Sequence, residues 1–396
     1  MKILILNAGS SSLKYQLIDM QDETIVAKGI VERIGIAGSK IKQTAGGKVF
    51  EAQAPMKDHV EGIKYMLAAL TDAEKGVVKS MDEIGAVGHR VLHGGEKFSG
   101  SVLINEDVIA AVEENIPLGP LHNPANLMGI RACQEIMPNT PNVAVFDTAF
   151  HQTMPPKAYL YGVPKEYYTR LKVRRYGFHG TSHRYVSRRA AEFLGLKLED
   201  LKIITCHLGN GSSLAAVKYG KCVDTSMGIT PLEGVIMGTR SGSLDPAVVQ
   251  FIANNDNKTV DEVIDILNKK SGLAGLSGLS SDMRDIDDAA DNGHQDAITA
   301  RELLAYGIRK YIGAYAAAMN GVDVIVFTAG IGENNSNIRR MVMEDFDYLG
   351  AKLDLVKNET RNEAVISTDD SRVKIVVIPT NEEIVIARDT LELVQK

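Results

Sequence analysis

The sequence predicts an α/β protein of two domains, and three observations carry that prediction. Short Ile- and Val-rich runs recur along the chain, helical patterns lie between them, and a Gly/Ser turn near the N-terminus is echoed in the second half. The runs are Ile3–Leu6, Val143–Phe146, Ile203–Cys206, Val322–Phe327 and Ile375–Ile378. Each is bounded by Gly, Pro or Asn, as strands are. Tyr15–Ile18 pairs with the first run as a hairpin, Ile25–Val31 reads as a third strand, and Ile84–Val87 as a further one. Among the helical patterns, Thr259-Val260-Asp261-Glu262 has the form of a capping box ahead of Val263, Ile264 and Leu267. Asp245-Pro246 reads as an N-cap followed by proline at the first helical position. Ala300 to Met319 is one long helix-favouring stretch. Strands and helices that alternate in this way belong to an α/β architecture.

At roughly 100–200 residues per domain, a chain of 396 residues makes two domains. Thr153-Met154-Pro155-Pro156 interrupts regular structure and places the boundary after Phe150. The net charge of −6 gives no electrostatic support for a nucleic-acid or membrane-surface partner, so an anionic ligand needs local donors. Cys133, Cys206 and Cys222 have no paired spacing, which fits a reducing compartment and no disulfide framework. No run approaches ~18 apolar residues, and the apolar run Ile3–Leu6 is too short for a signal peptide. A cytoplasmic protein is the expectation.

The echo has a definite form. Leu6 to Leu17 runs strand, Asn-Ala-Gly-Ser-Ser-Ser, strand, and Thr205 to Val217 runs strand, Leu-Gly-Asn-Gly-Ser-Ser, strand. Either two halves share one design, or common turn chemistry repeats by chance.

Several segments carry chemistry. Asn7-Ala8-Gly9-Ser10-Ser11-Ser12-Leu13-Lys14 offers close backbone approach, hydroxyl donors and a cation, as a phosphate cradle does. A polar surface hairpin has the same composition. It is not a Walker A loop, since no Gly-x-x-x-x-Gly-Lys-Ser/Thr occurs. Arg90, at a strand end beside Gly94-Gly95, suits bidentate capture of a carboxylate or phosphate, or an ordinary ion pair. Asp147 ends the run Val143–Phe146, where α/β folds place ligands; it is also in place for an N-cap. His179, in Gly177-Phe178-His179-Gly180 at a helix start, can donate to a transferring phosphoryl group or serve as a buried structural histidine. His207-Leu208-Gly209-Asn210-Gly211 forms the second phosphate-type turn, and Arg240 stands among small residues. Gly330-Ile331-Gly332-Glu333-Asn334 follows a buried strand but lacks the third glycine of a Rossmann fingerprint. A carboxylate at Glu382 or Glu383, after the last strand, can hold Mg²⁺ through water. Taken together, these parts supply positioning and charge neutralisation, which is what phosphoryl transfer needs.

These segments, with Phe146-Asp147-Thr148-Ala149-Phe150, Met237-Gly238-Thr239-Arg240, Ser281-Asp282-Met283-Arg284-Asp285 and Thr380-Asn381-Glu382-Glu383, resemble the acetate kinases over essentially the full chain. The resemblance implies an α/β fold of two duplicated actin-like ATPase (ribonuclease H-like) domains. Their mixed sheets would be flanked by helices, with an active-site cleft between them. Residues 1–150 plus 384–396 would form the Mg²⁺ and substrate side, the last helix packing back there. Residues 151–383 would carry nucleotide and the contacts of a homodimer. The implied reaction is reversible transfer of the γ-phosphoryl of ATP to acetate, giving acetyl phosphate and ADP. Propionate or another short-chain acid is the alternative acceptor; an ATPase switch module and a sugar kinase are more distant rivals. Asn7 and Glu383 would serve Mg²⁺, or Mn²⁺, and Lys14 would contact ATP. His207, Leu208, Gly209, Asn210 and Gly211 would bind nucleotide, as would Asp282, Met283 and Arg284, and Gly330, Ile331, Gly332, Glu333 and Asn334. Arg90 and Arg240 would bind the substrate carboxylate and the moving phosphoryl group. His179 would stabilise the transition state, and Asp147 would be an acid/base or an orienting carboxylate. His122 would touch substrate, whose methyl would meet Leu92, Leu121, Phe178 and Pro231. Leu92 replaces a valine common in the family, and the extra methylene should disfavour longer acids.

Overall fold

The computed structural model describes residues 1–120 and 122–396, and the chain forms two compact units. The first comprises Met1–Gln152 with Asn381–Lys396, the second Thr153–Thr380.

The first unit is built on strands β1 (Lys2–Ala8), β2 (Ser12–Asp19), β3 (Thr24–Glu32), β4 (Lys40–Ala45), β5 (Lys48–Gln53), β6 (Ile84–Val91), β7 (Val102–Leu103) and β8 (Asn142–Phe146). They form one sheet in the order β5-β4-β3-β2-β1-β6-β8-β7. β1 to β5 form an antiparallel meander, whereas β1, β6 and β8 run parallel. Ile3, Leu4, Ile5 and Leu6 are all buried because helices cover both faces of β1. Helices His59–Thr71 and Asn123–Ile136 supply Ile63, Met66, Leu67, Leu70, Ala132 and Cys133 to one core. Helix Glu382–Gln395 packs on β1 and β6. Its N-cap is Asn381, whose Oδ1 accepts from the Ile384 N–H at 3.1 Å, and the two glutamates of its first turn suit the positive helix end. β2 alternates: Leu13, Tyr15 and Leu17 enter the core, while Lys14 and Gln16 face the other way.

The second unit carries β9 (Lys202–Leu208), β10 (Ser212–Lys218), β11 (Lys221–Thr225), β12 (Val324–Thr328), β13 (Ala364–Val365) and β14 (Lys374–Val377), in the order β11-β10-β9-β12-β14-β13. β3-β2-β1-β6-β8 and β11-β10-β9-β12-β14 are therefore the same arrangement. Each is an antiparallel hairpin meander joined to two parallel strands, with a short antiparallel strand beyond. The two Gly/Ser turns occupy equivalent places, and the echo is a duplicated architecture: an α/β fold with two mixed sheets flanked by helices.

Most expected elements are present. Thr259 and Glu262 make the reciprocal capping box of helix Val260–Lys269. The Asp245 carboxylate accepts from the Ala247 N–H at 2.9 Å, with Pro246 already at helical φ. The long helix begins earlier than expected, at Gln295, because His294 caps it through Nδ1. β12 starts two residues later than expected, because Asn320 and Gly321 take positive φ in the turn before it. β4 and β5 had no apolar run to announce them: in β4 Ile41, Gln43 and Ala45 face the core.

Candidate active site

In the first unit, hairpin pairing sets Asn7 opposite Lys14, and both line a cavity of about 370 Å³ with Arg90, Glu382 and Glu383. Arg90 projects from β6 and Asp147 follows β8, its parallel neighbour. The Arg90 Nε donates to Asp147 Oδ1 at 2.9 Å and Nη2 donates to Oδ2 at 2.8 Å. Asp147 is 1% exposed and Arg90 25%, so the pair is held rigidly while the guanidinium keeps an open side. The Asp147 charge pushes the Arg90 guanidinium well above its ordinary range, against the effect of burial. Glu382 lies 3.8 Å from Arg90, and its buried Oε2 has no hydrogen bond among the described residues. Burial first, then Asp147 and Glu383, raises the Glu382 pKa, while Arg90 and Lys14 oppose the shift.

The Glu382 oxygen, the neighbouring Glu383 and the Asn7 amide form an all-oxygen donor set. Among the described residues no three His, Cys, Asp or Glu side chains form a metal cage. Such a set fits Mg²⁺ or Mn²⁺, which bind through one or two carboxylates and complete their shells with water and phosphate oxygens.

In the second unit, His179 caps helix Gly180–Phe193 with a left-handed backbone, φ 55°. Its Nδ1 is 2.8 Å from Ser213 Oγ, and its ring stacks on His207 with centroids 4.1 Å apart. Ser213 Oγ is also 2.8 Å from His183 Nε2, and Ser182 Oγ is 2.8 Å from His207 Nδ1. These bonds fix both ring planes. A Cβ on Gly211 would lie 3.4 Å from His179 Nε2 and 3.6 Å from Arg240 Nη1, so the turn, the imidazole and the guanidinium converge. Arg240 donates to the Pro231 carbonyl at 3.3 Å. Among the described residues no carboxylate neutralises it, and burial lowers its pKa. An anion is the partner that such a group lacks.

A second cavity of about 680 Å³ is lined by Gly209, Asn210, Asp282, Met283, Arg284, Gly330, Ile331 and Asn334, with Ser281, Asn335 and Arg361. No described residue lies within 4 Å of where a Gly330 Cβ would be, so the backbone there is open to a ligand. Asp282 caps its helix and grips Arg284 through Nε at 3.0 Å, an exposed pair that keeps its carboxyl low, at about 2.

Each unit thus gathers its own share of the expected residues. Asn7, Lys14, Arg90 and Glu383 line one cavity, and Asp147 braces Arg90. His179, Gly211 and Arg240 meet at the second-unit turn. Leu208 and Gly332 are buried; Leu208 faces the core and His207 serves the histidine stack. Glu333 points its carboxylate at backbone N–H groups. Leu92 is buried in the first unit, its N–H donating to Asn126 Oδ1 at 3.0 Å. His122 precedes helix Asn123–Ile136 in that unit, while Phe178 and Pro231 belong to the second. Leu121 lies outside the described residues. Ser182, Ser213, Lys28, Lys42 and Arg361 were not anticipated. Ser213 sits inside the second Gly/Ser turn already singled out and Ser182 three residues past His179, whereas the turn at Arg361 carries no local signal.

A duplicated α/β fold with a phosphate-type turn in each half, a half-buried arginine that no carboxylate among the described residues neutralises and a set of oxygen donors is that of a phosphotransferase. The chain belongs to the acetokinase family, whose model matches residues 2–388. It is 60% identical to acetate kinase of Thermotoga maritima, over all of this chain and 99% of that one. It is also 60% identical to acetate kinase of Agathobacter rectalis, over the whole of both. Among solved structures, Porphyromonas gingivalis acetate kinase superposes with TM-score 0.96 at 49% identity, covering 99% of each chain. A propionate kinase from Francisella tularensis superposes with TM-score 0.93 at 42% identity, again over 99% of each. Among the described residues no helix is long and apolar enough to cross a membrane.

Proposed function

We infer that the protein is an acetate kinase: it transfers the γ-phosphoryl group of ATP reversibly to acetate, giving acetyl phosphate and ADP. The observation that carries this reading is the unneutralised Arg240 guanidinium, which meets His179 at the Gly211 turn. The full-length identity to acetate kinases supports acetate as the acceptor.

Acetate is ionised at neutral pH and attacks without losing a proton. One carboxylate oxygen forms a bond to the γ-phosphorus while the bond to the β-γ bridging oxygen breaks, and ADP leaves with that electron pair. Arg90 orients the acetate carboxylate. Both Asp147 oxygens accept from Arg90, which suits Asp147 to brace the guanidinium. Arg240 and His179 neutralise charge on the equatorial phosphoryl oxygens. Asn7 and Glu383 would hold Mg²⁺, which supplies charge neutralisation on the phosphates. Gly209, Asn210, Met283 and Ile331 line the space that takes nucleotide. The homodimer is carried in the same proposal, supported by exposed Phe251, Val260, Leu303 and Tyr306 on second-unit helices.

Propionate kinase activity is the second reading, favoured by the Francisella structure. A hydroxamate assay for the acyl phosphate across acetate, propionate and butyrate decides between them. The highest kcat/KM should fall on acetate. Larger turnover with propionate would transfer the assignment, and ADP release without any acyl phosphate would remove it.

A further inference from the structure

Glu333 lies in the glycine segment that follows β12, yet its carboxylate is turned away from the nucleotide cavity. Its Oε1 accepts from the Ala329 N–H at 2.7 Å, from the Thr380 N–H at 3.0 Å and from the Thr328 hydroxyl at 3.4 Å. Ala329 is buried with φ 64°, a left-handed conformation that costs a residue with a Cβ about tenfold or more in population. That single turn aims Gly330 and Ile331 into the cavity. Strain of this kind persists only where the surroundings over-determine it, and the Glu333 oxygen is the acceptor that holds the Ala329 N–H. The same oxygen reaches Thr380, the last residue of the second unit. The Thr380 hydroxyl is 2.9 Å from Ser182 Oγ, which holds His207, on which His179 stacks.

We propose that Glu333 is a positioning residue: one carboxylate oxygen sets the strained nucleotide loop and, through Thr380, Ser182 and His207, the plane of the His179 ring. The proposal rests on the phosphotransferase reading and gives Glu333 a role that does not involve touching ATP. Its two arms are separable. The Ala329 arm governs nucleotide affinity, and the Thr380 arm governs turnover.

The test uses the full-length enzyme, with the Kd for Mg·ADP from calorimetry alongside kcat and KM. Wild-type protein must bind Mg·ADP; if it does not, the phosphotransferase reading fails and the positioning question does not arise. Glu333→Ala should weaken Mg·ADP binding about tenfold and lower kcat. Adding Ala329→Gly, which adopts positive φ freely, should return Kd to within about threefold of wild type while kcat stays low. Thr380→Val keeps the N–H but loses the hydroxyl, so kcat should fall with Kd unchanged. Glu333→Gln retains an oxygen acceptor and should resemble wild type, and this variant also serves if Glu333→Ala does not fold. Wild-type affinity in Glu333→Ala would overturn the proposal. So would a loss that Ala329→Gly leaves uncorrected in a protein of unchanged Tm. A Glu333→Gln variant as impaired as Glu333→Ala, with a shifted Mg²⁺ requirement, would make the carboxylate a direct ligand and overturn it too.

Discussion

Replacing Gly211 with Ala adds one methyl group where His179 and Arg240 converge. The new Cβ would stand 3.4 Å from His179 Nε2 and Cε1 and 3.6 Å from Arg240 Nη1, which is ordinary van der Waals contact. Gly211 is not at positive φ, so its backbone accepts a side chain without strain. Folding stability should therefore change little, and loss of glycine freedom in the unfolded chain adds about 0.4–1 kcal/mol in favour of the variant. Catalysis should respond very differently. A phosphoryl oxygen bonded to both donors sits about 2.9 Å from each, close to where the methyl would lie, and must move by roughly an ångström. Misplacement on that scale costs about 10²-fold. Thermal melting and a coupled assay of ADP formation measure the two effects. An unchanged Tm with kcat reduced about 10²-fold is expected. Full activity in Gly211→Ala would refute the placement of the phosphoryl group between imidazole and guanidinium.

Three further outcomes follow from the same geometry. Asp147→Asn sets an amide N–H against the Arg90 donors and removes a buried partner charge; kcat/KM for acetate should fall about 10²-fold, the scale of a lost preorganised group. Its pH–rate profile should keep both limbs of the wild type, and a vanished limb would make Asp147 a base. Leu92→Val removes one methylene from the first-unit wall and should raise the propionate-to-acetate ratio of kcat/KM about tenfold; an unchanged ratio would take Leu92 out of the acyl pocket. His89, buried in β6 with Nε2 2.7 Å from Asn142 Oδ1, has its pKa pulled down from 6.5 to about 4, chiefly by burial. The unfolded chain then binds a proton that the folded protein refuses. Stability should drop as pH falls through that window, by up to about 3 kcal/mol, and level off below it. Denaturant midpoints at the two ends of the window should show the drop in wild type and a smaller one in His89→Gln; equal drops would assign the effect elsewhere.

The sequence by itself determined the parts that local chemistry dictates. Apolar runs marked β1, β8, β9, β12 and β14, because strands covered on both faces bury nearly every position. Capping chemistry marked the helices after Thr259 and Asp245, because a helix end must satisfy its own N–H groups nearby. The glycine turns, Arg90 at a strand end and Arg240 among small residues were legible for the same reason. β4 was not, since half its residues face away from the core and break the apolar pattern. The tertiary structure alone decided which groups meet. Residues 90 and 147 come together because β6 and β8 lie side by side in parallel, a pairing that no local pattern encodes. It also decided that no carboxylate among the described residues pairs with Arg240, which leaves the guanidinium available to an anion. The same holds for Glu333, which reads as one more residue of a glycine-rich nucleotide loop. Only in the folded chain does its carboxylate reach Ala329 and Thr380, because hydrogen-bond partners 47 residues apart in sequence are set by the packing of the strands that precede them.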